Sequence, residues 1–179
     1  MLTFEDLDLN NWPVYADLVL NSESIFPEPI RTSKEEFTEI LLIKDAVAKL
    51  GKIGTEYIGN IMGFPLLSLQ DPEEYGFQTL EDRAIYICNF VVDPSYQGKG
   101  FGKKLLIEFL KATIESGYEK IYGHFRQNSS LNLIKKLGAK EVKICQNWSD
   151  TGEDFVLCEL DLTKIAIPEI PKLVKVEAI

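Results

Sequence analysis

Three glycines fall within five residues, at 98, 100 and 102, in the stretch VVDPSYQGKGFGKKLL (residues 91–106), with Gln97 before them and Lys99, Phe101 and Lys103 around them. An apolar, β-branched run stops at Asp93-Pro94, and an amphipathic helical pattern starts directly after the glycines. Such a loop lies at a helix N-terminus, where first-turn N–H groups lack intrahelical acceptors and the helix dipole presents its positive end. The chemistry this favours is the binding of an anion, most often a phosphate. Two phosphate loops are excluded by counting: position 103 is Lys, where both GxxxxGK[ST] and GxGxxG begun at Gly98 require Gly. Judged by their glycines alone, these residues could equally form a tight turn that holds nothing.

Proton transfer has fewer candidates. His124 is the only histidine, and in KIYGHFR the two-residue alternation puts Tyr122, His124 and Arg126 on one strand face. Its imidazole can accept a proton near neutral pH; the plainer reading is a strand histidine hydrogen-bonded to a neighbour. Glu81 and Asp82, just ahead of the apolar run, are further candidate bases, although acidic loop residues are usually only solvated. Cys88, Cys145 and Cys158 are odd in number, with neither CxxC spacing nor a histidine pair nearby. They read as small core residues in a reducing compartment, not as nucleophiles or zinc ligands, and no metal site is expected.

These residues need a scaffold, and the chain is long enough for one. With 179 residues, 45% hydrophobic and 26% charged, it suits one domain with one well-buried core. A net charge of -9 argues against a general nucleic-acid binder, since phosphate backbones require a concentrated basic surface. The N-terminal MLTFEDLDLNNW has no basic segment followed by an apolar run, and no apolar stretch approaches the roughly 20 residues of a membrane span. The expectation is a soluble cytoplasmic protein with no membrane partner.

Element by element, Leu2, Phe4 and Leu7 open a short strand, and Asn10 or Asn11 caps a helix through Leu20 with Pro13 in its first turn. Ser33 and Glu36 form a capping-box pattern ahead of Phe37, Ile40 and Leu41. A hairpin is expected with strands near 46–50 and 57–67, then a loop, then AIYICNFVV as a strand covered on both faces. Leu105, Leu106, Phe109, Leu110 and Ile114 line one side of a helix that stops at Gly117. KIYGHFR is a strand, SSLNLIKKLG a short helix, and EVKICQNW with DFVLCELDL a terminal strand pair. This order predicts a mixed α/β (α+β) domain: helices cover a mostly antiparallel central sheet that contains one strand–helix–strand crossover. Residues 163–179, with two prolines, form a tail that could be an edge strand, an arm or a contact in a homodimer.

The spacing Gln97-x-x-Gly100-x-Gly102, preceded by Val92-Asp93-Pro94, resembles the signature of the GCN5-related N-acetyltransferase (GNAT) superfamily. In element order the resemblance covers residues 1–162, an N-acetyltransferase domain, and is most specific over 90–110. It implies a GNAT-like fold and direct transfer of the acetyl group of acetyl-CoA, as acyl-donor co-substrate, to a primary amine of a small molecule or protein. It further implies that Gln97, Gly98, Lys99, Gly100, Phe101, Gly102 and Lys103 hold the pyrophosphate, while the strand end Phe90, Val91 and Val92 receives the pantetheine arm and faces the thioester oxygen. HFRQNSSLNLIKKLGA (residues 124–139) resembles the later motif of the family, which brings Asn128 and Ser130 to the phosphopantetheine. Where many members carry a tyrosine that protonates the departing thiolate, this chain has Ile134. Tyr86 or Tyr122, or water, would then supply the proton, or the chain belongs to a branch that manages without a dedicated acid; His124 is the candidate base. The departure also admits a catalytically inactive CoA-binding sensor or interaction module.

Overall fold

The computed structural model describes residues 1–165. Its first half is an antiparallel meander, β1 (Leu2–Asp6), β2 (Val47–Ile53) and β3 (Glu56–Pro65), interrupted after β1 by two helices. The hairpin turns at Gly54-Thr55, with Gly54 at φ 62, so β2 runs through Gly51 and is longer than the expected 46–50, while β3 stops at Pro65. Helix α1 (Trp12–Ser22) has Pro13 in its first turn, and Asn11 precedes it without making a side-chain cap. Instead, Asn11 Oδ1 accepts the Asp8 N–H and pins the preceding turn. Helix α2 (Lys34–Leu42) has the full capping box: Ser33 Oγ accepts the Glu36 N–H, and Glu36 Oε2 accepts the Ser33 N–H at 2.7 Å.

The apolar run AIYICNFVV forms β4 (Ala84–Val92), followed by the glycine loop and α3 (Phe101–Glu115). Then come β5 (Lys120–Arg126), α4 (Ser129–Lys136), β6 (Lys140–Cys145) and β7 (Phe155–Asp161). The strands make one seven-stranded sheet in the order β1-β2-β3-β4-β5-β7-β6, antiparallel except for β4 with β5. The single parallel pair is the consequence of the α3 crossover, which returns the chain to the end where β4 began.

Both sheet faces are covered. On one, α3 places Leu105, Leu106, Phe109 and Leu110 against Ile61, Ile85, Ile121 and Phe125. On the other, α1 and α2 set Trp12, Ala16, Val19 and Phe37 against Leu50, Tyr57 and Met62. Burial of each of the larger aliphatic side chains and of Phe among these contributes about 1.5–3 kcal/mol of transfer free energy. The segment after β3 adds Leu66, Leu69 and Phe77 over Tyr86, Tyr122 and Leu157. The core continues to Ile165, three residues past the expected domain end, and the rest of the tail lies outside the described residues.

Two irregularities of β4 position the site. Against β3, Met62 pairs with Asn89 and Gly63 with Ile87, which leaves Cys88 as an extra, bulged residue. Gly63 faces the bulge with no room for a side chain: a Cβ there would lie 2.8 Å from the Tyr86 carbonyl oxygen. Against β5, pairing runs only from Ala84/Lys120 to Ile87/Gly123. Beyond the bulge the two strands part, and Cys88–Val92 and His124–Arg126 bound an opening through the sheet.

Candidate active site

That opening is a cleft of about 890 Å³. On the α3/α4 face its walls include Gly98, Gly100, Gly102, Lys103, Asn128 and Ser130. On the α1/α2 face they include Phe26, Ile30, Glu36, Glu39, Tyr75 and Trp148, with Tyr86, Phe90, Val91, Val92 and His124 between.

The α3 mouth has the features that could hold an anion. Gly98 and Gly100 take the left-handed conformation, at φ 74 and φ 80, and Gly100 caps the helix. A Cβ at either position would meet nothing within 4 Å, so their lack of side chain serves backbone conformation and whatever enters the loop, not internal packing. Among the described residues, none of the backbone N–H groups from Gly98 to Lys103 is bonded to a backbone carbonyl. Six consecutive donors at the positive end of a fifteen-residue helix suit the oxygens of a pyrophosphate. The loop is tied to its strand by Gln97, whose Nε2 donates to the Val92 carbonyl at 2.9 Å. The Lys99 ammonium bonds the Ser95 carbonyl at 2.9 Å and lies over the Tyr96 ring, and Lys99 is not among the lining residues, whereas Lys103 is. Asn128 and Ser130 line it too, with Asn128 Oδ1 accepting both the N–H and the hydroxyl of Ser130 as the cap of α4.

Past the loop, β4 from Cys88 to Val92 has no partner on its β5 side, so an extended amide-bearing chain could pair there as an added strand. Phe90, Val91 and Val92 all line this edge. The glycine loop and the open edge, both lining one cleft, suit the phosphates and the pantetheine arm of CoA.

At the apex, the Tyr86 hydroxyl and His124 Nδ1 are 2.8 Å apart. His124 stacks on Trp148 with ring centroids 3.7 Å apart and 13° between planes, and its Nε2 is buried without a hydrogen-bond partner. Burial, with the Lys143 charge as second cause, holds the imidazole down at a pKa of about 3. Burial also pushes the Tyr86 hydroxyl well above the usual tyrosine value. Both groups are therefore neutral at physiological pH, which corrects the expectation of a histidine poised to titrate near 7. Tyr122 is not among the residues that line the cleft. Its hydroxyl donates toward Glu81 Oε1 and Glu159 Oε2, each at 2.7 Å, outside the cleft lining, and Glu81 is held there by Lys120. Ile134 is 1% exposed, packed in the α3/α4 core, and offers no proton.

A buried polar chain also reaches the cleft. Glu23 accepts from Asn89 Nδ2 at 2.6 Å and from the Thr32 N–H at 2.8 Å; Asn89 accepts from Asn60, and Asn60 from Tyr57. Burial raises the Glu23 carboxyl above its ordinary pKa. Asparagines at 60 and 89, inside otherwise apolar strands, were the available sequence signal for this chain. Nothing local marked Glu23 or Trp148. Among the described residues no group of His, Cys, Asp or Glu is placed to hold a metal ion, and no helix is long and apolar enough to cross a membrane.

Comparison with known proteins agrees with this geometry. The sequence profile described as Acetyltransferase (GNAT) family matches residues 15–139. An N-alpha-acetyltransferase of Sulfurisphaera tokodaii is 31% identical over 129 residues, spanning 68% of this chain and 72% of the relative. Among solved structures, the ribosomal-protein-S18-alanine N-acetyltransferase of Escherichia coli shares the fold at a TM-score of 0.68 and 17% identity, covering 93% of this chain and 96% of that one. A GNAT family acetyltransferase from Elizabethkingia anophelis, solved with acetyl-CoA bound, shares it at 0.62 and 21% identity, covering 89% and 97%. The unbonded glycine loop, the open strand edge and the through-sheet cleft accord with the sequence match: the chain belongs to the acetyltransferase (GNAT) family and is an N-acetyltransferase that takes its acetyl group from acetyl-CoA.

Proposed function

We propose that the chain transfers the acetyl group to an amine that arrives uncharged, foremost the α-amino group of a polypeptide, and that Tyr86 and His124 move the proton. The observation that carries this reading is the neutral Tyr86–His124 pair at the apex of the split sheet, with Nε2 buried and unpartnered. Acetyl-CoA supplies the activated thioester. The unbonded N–H groups of Gly98 to Lys103 hold its phosphates, and the β4 edge from Phe90 to Val92 orients the thioester and offers N–H donors to its carbonyl oxygen.

As the C–N bond forms, His124 Nε2, once the entering acceptor uncovers it, takes a proton from the attacking nitrogen while Nδ1–H passes to the Tyr86 oxygen and the Tyr86 proton passes to the departing sulfur. A C–N bond forms, a C–S bond breaks, and one proton moves from nitrogen to sulfur with no net change of charge. Tyr86 thereby takes the place of the tyrosine that Ile134 replaces. An imidazole held near pKa 3 cannot strip a proton from an ammonium ion in advance, so the amine must enter neutral. At pH 7 an α-amino group is neutral in roughly 10% of molecules and a lysine amine in roughly 0.04%. The Sulfurisphaera tokodaii relative is an N-alpha-acetyltransferase, which supports the same acceptor. Three unpaired cysteines, two buried and one half-buried, suit a reducing compartment such as the cytoplasm.

Calorimetric titration with acetyl-CoA, followed by mass spectrometry of a peptide that carries both a free α-amino group and an internal lysine, tests the reading. Acetylation at the α-amino group is expected; exclusive acetylation of the lysine would refute it.

A further inference from the structure

We propose that the acceptor mouth selects amines attached to a bulky apolar group: polypeptide ends that begin with a large apolar residue, or small amines of the same make. This rests on the acetyl-transfer reading and adds the identity of the acceptor.

Five separate segments bring half-buried apolar side chains to the α1/α2 mouth. Phe26 and Ile30 come from the α1–α2 connection, Ile40 from α2, Phe64 from the end of β3, Tyr75 from the loop after it, and Trp148 from the β6–β7 turn. The three core clusters do not fully bury any of them, so their apolar surface faces the cleft, where an apolar group would remove it from water.

Charge gives the other broad class, polycationic acceptors, no concentrated acidic site. Among the described lining residues only Glu36 and Glu39 are acidic, and Glu36 already bonds the Ser33 N–H. Arg31 and Arg126 bring opposite charge to the same mouth. An acceptor with several ammonium groups would find two carboxylates, one of them already accepting a backbone N–H, sharing the mouth with the guanidinium of Arg31, which has no ion pair among the described residues. Glu153 neutralises Arg126 through both oxygens, at 2.6 and 2.7 Å, leaving no strong field of either sign.

The mouth is also preformed. While its Nε and Nη2 hold Glu153 in the β6–β7 turn, Arg126 donates from Nη1 to the Ile25 carbonyl at 3.0 Å. One guanidinium on β5 thus ties the α1–α2 connection that carries Phe26 to the β6–β7 turn that carries Trp148. The groups facing His124 in this mouth are Tyr86, Tyr75, Trp148 and, by its charge, Lys143. None is a carboxylate that would neutralise and hold a second acceptor cation.

The test measures CoA release from acetyl-CoA with short peptides that differ only at the first residue (Phe, Leu, Gly, Asp or Lys), and with 2-phenylethylamine and spermidine. The expected result is a kcat/KM for Phe or Leu peptides on the order of 100-fold above Gly, the size available to an apolar pocket. Asp and Lys peptides and spermidine should fall below Gly. Parity of 2-phenylethylamine with the Phe peptide identifies small amines as acceptors, and a large peptide advantage identifies chain ends; either supports the selection. Trp148→Ala and Tyr75→Ala should shrink the Phe-to-Gly ratio to under about tenfold, with unchanged acetyl-CoA affinity. A wild-type ratio near one, or spermidine as the best acceptor, overturns the inference while leaving acetyl transfer intact. Failure to bind acetyl-CoA overturns both.

Discussion

Tyr86 lies one residue before the last parallel pair of β4 and β5, His124 lies one residue after it, and the hydroxyl and Nδ1 meet at 2.8 Å across that boundary. If they pass one proton as a unit, removing either end should stop the relay. Tyr86→Phe and His124→Gln are each expected to lower kcat about 10²- to 10³-fold, the usual worth of positioned acid–base groups. The double variant should be little worse than either single one. Single-turnover rates at saturating acetyl-CoA measure this, and multiplicative losses would show that the two act separately.

The same pair sets the pH behaviour. With His124 near pKa 3, kcat/KM should follow the ionisation of the acceptor amine, rising with pH toward its pKa, with no inflection near 6.5. Stability should carry the histidine instead. The folded pKa lies below the unfolded one, so between about 3 and 6.5 the unfolded chain binds the extra proton and stability falls as pH falls. At about 1.4 kcal/mol per pH unit, roughly 2 kcal/mol should be lost between pH 6.5 and 5. Urea denaturation at the two pH values, compared with His124→Gln, isolates this contribution from that of Glu23, which has the opposite sign.

At the other mouth, Gly100→Glu tests the anion cradle. The left-handed backbone should cost about 1–2 kcal/mol of stability. A carboxylate among the unbonded N–H groups should repel the pyrophosphate, lowering acetyl-CoA affinity more than about 100-fold. Calorimetry on the folded variant, with Tm measured alongside, separates the two effects.

Glu23→Gln tests the buried chain. The carboxylate accepts from two donors, and an amide in its place turns an NH₂ toward one of them. A loss of about 1–3 kcal/mol is expected from the unsatisfied group. Because Asn89 follows the bulge and lines the cleft, kcat should fall as well. Unaltered kcat in a destabilised variant would confine Glu23 to the scaffold.

The parts of the site that lie close together in sequence were legible. The glycine spacing, the strand before it and the amphipathic face of α3 all fall within about thirty residues, and each follows from local backbone preference. What depends on register between distant strands was not. Tyr86 and Tyr122 are neighbours across one parallel pair and look alike in sequence, yet one points to the cleft and the other to Glu81 and Glu159. The aim of Lys99 depended on the carbonyl of Ser95 and the ring of Tyr96. The neutrality of His124 needed Trp148, twenty-four positions later, to come to rest on its ring.

The extra residue at Cys88 works as a wedge in a zipper. Two parallel strands that begin in register would close along their full length, and a closed sheet has no passage from one side to the other. One surplus residue turns the far half of β4 out of line with β5, so donor and acceptor can enter from opposite sides and meet in the gap. The excision of Cys88 would therefore be expected to give a tidier sheet and a dead enzyme.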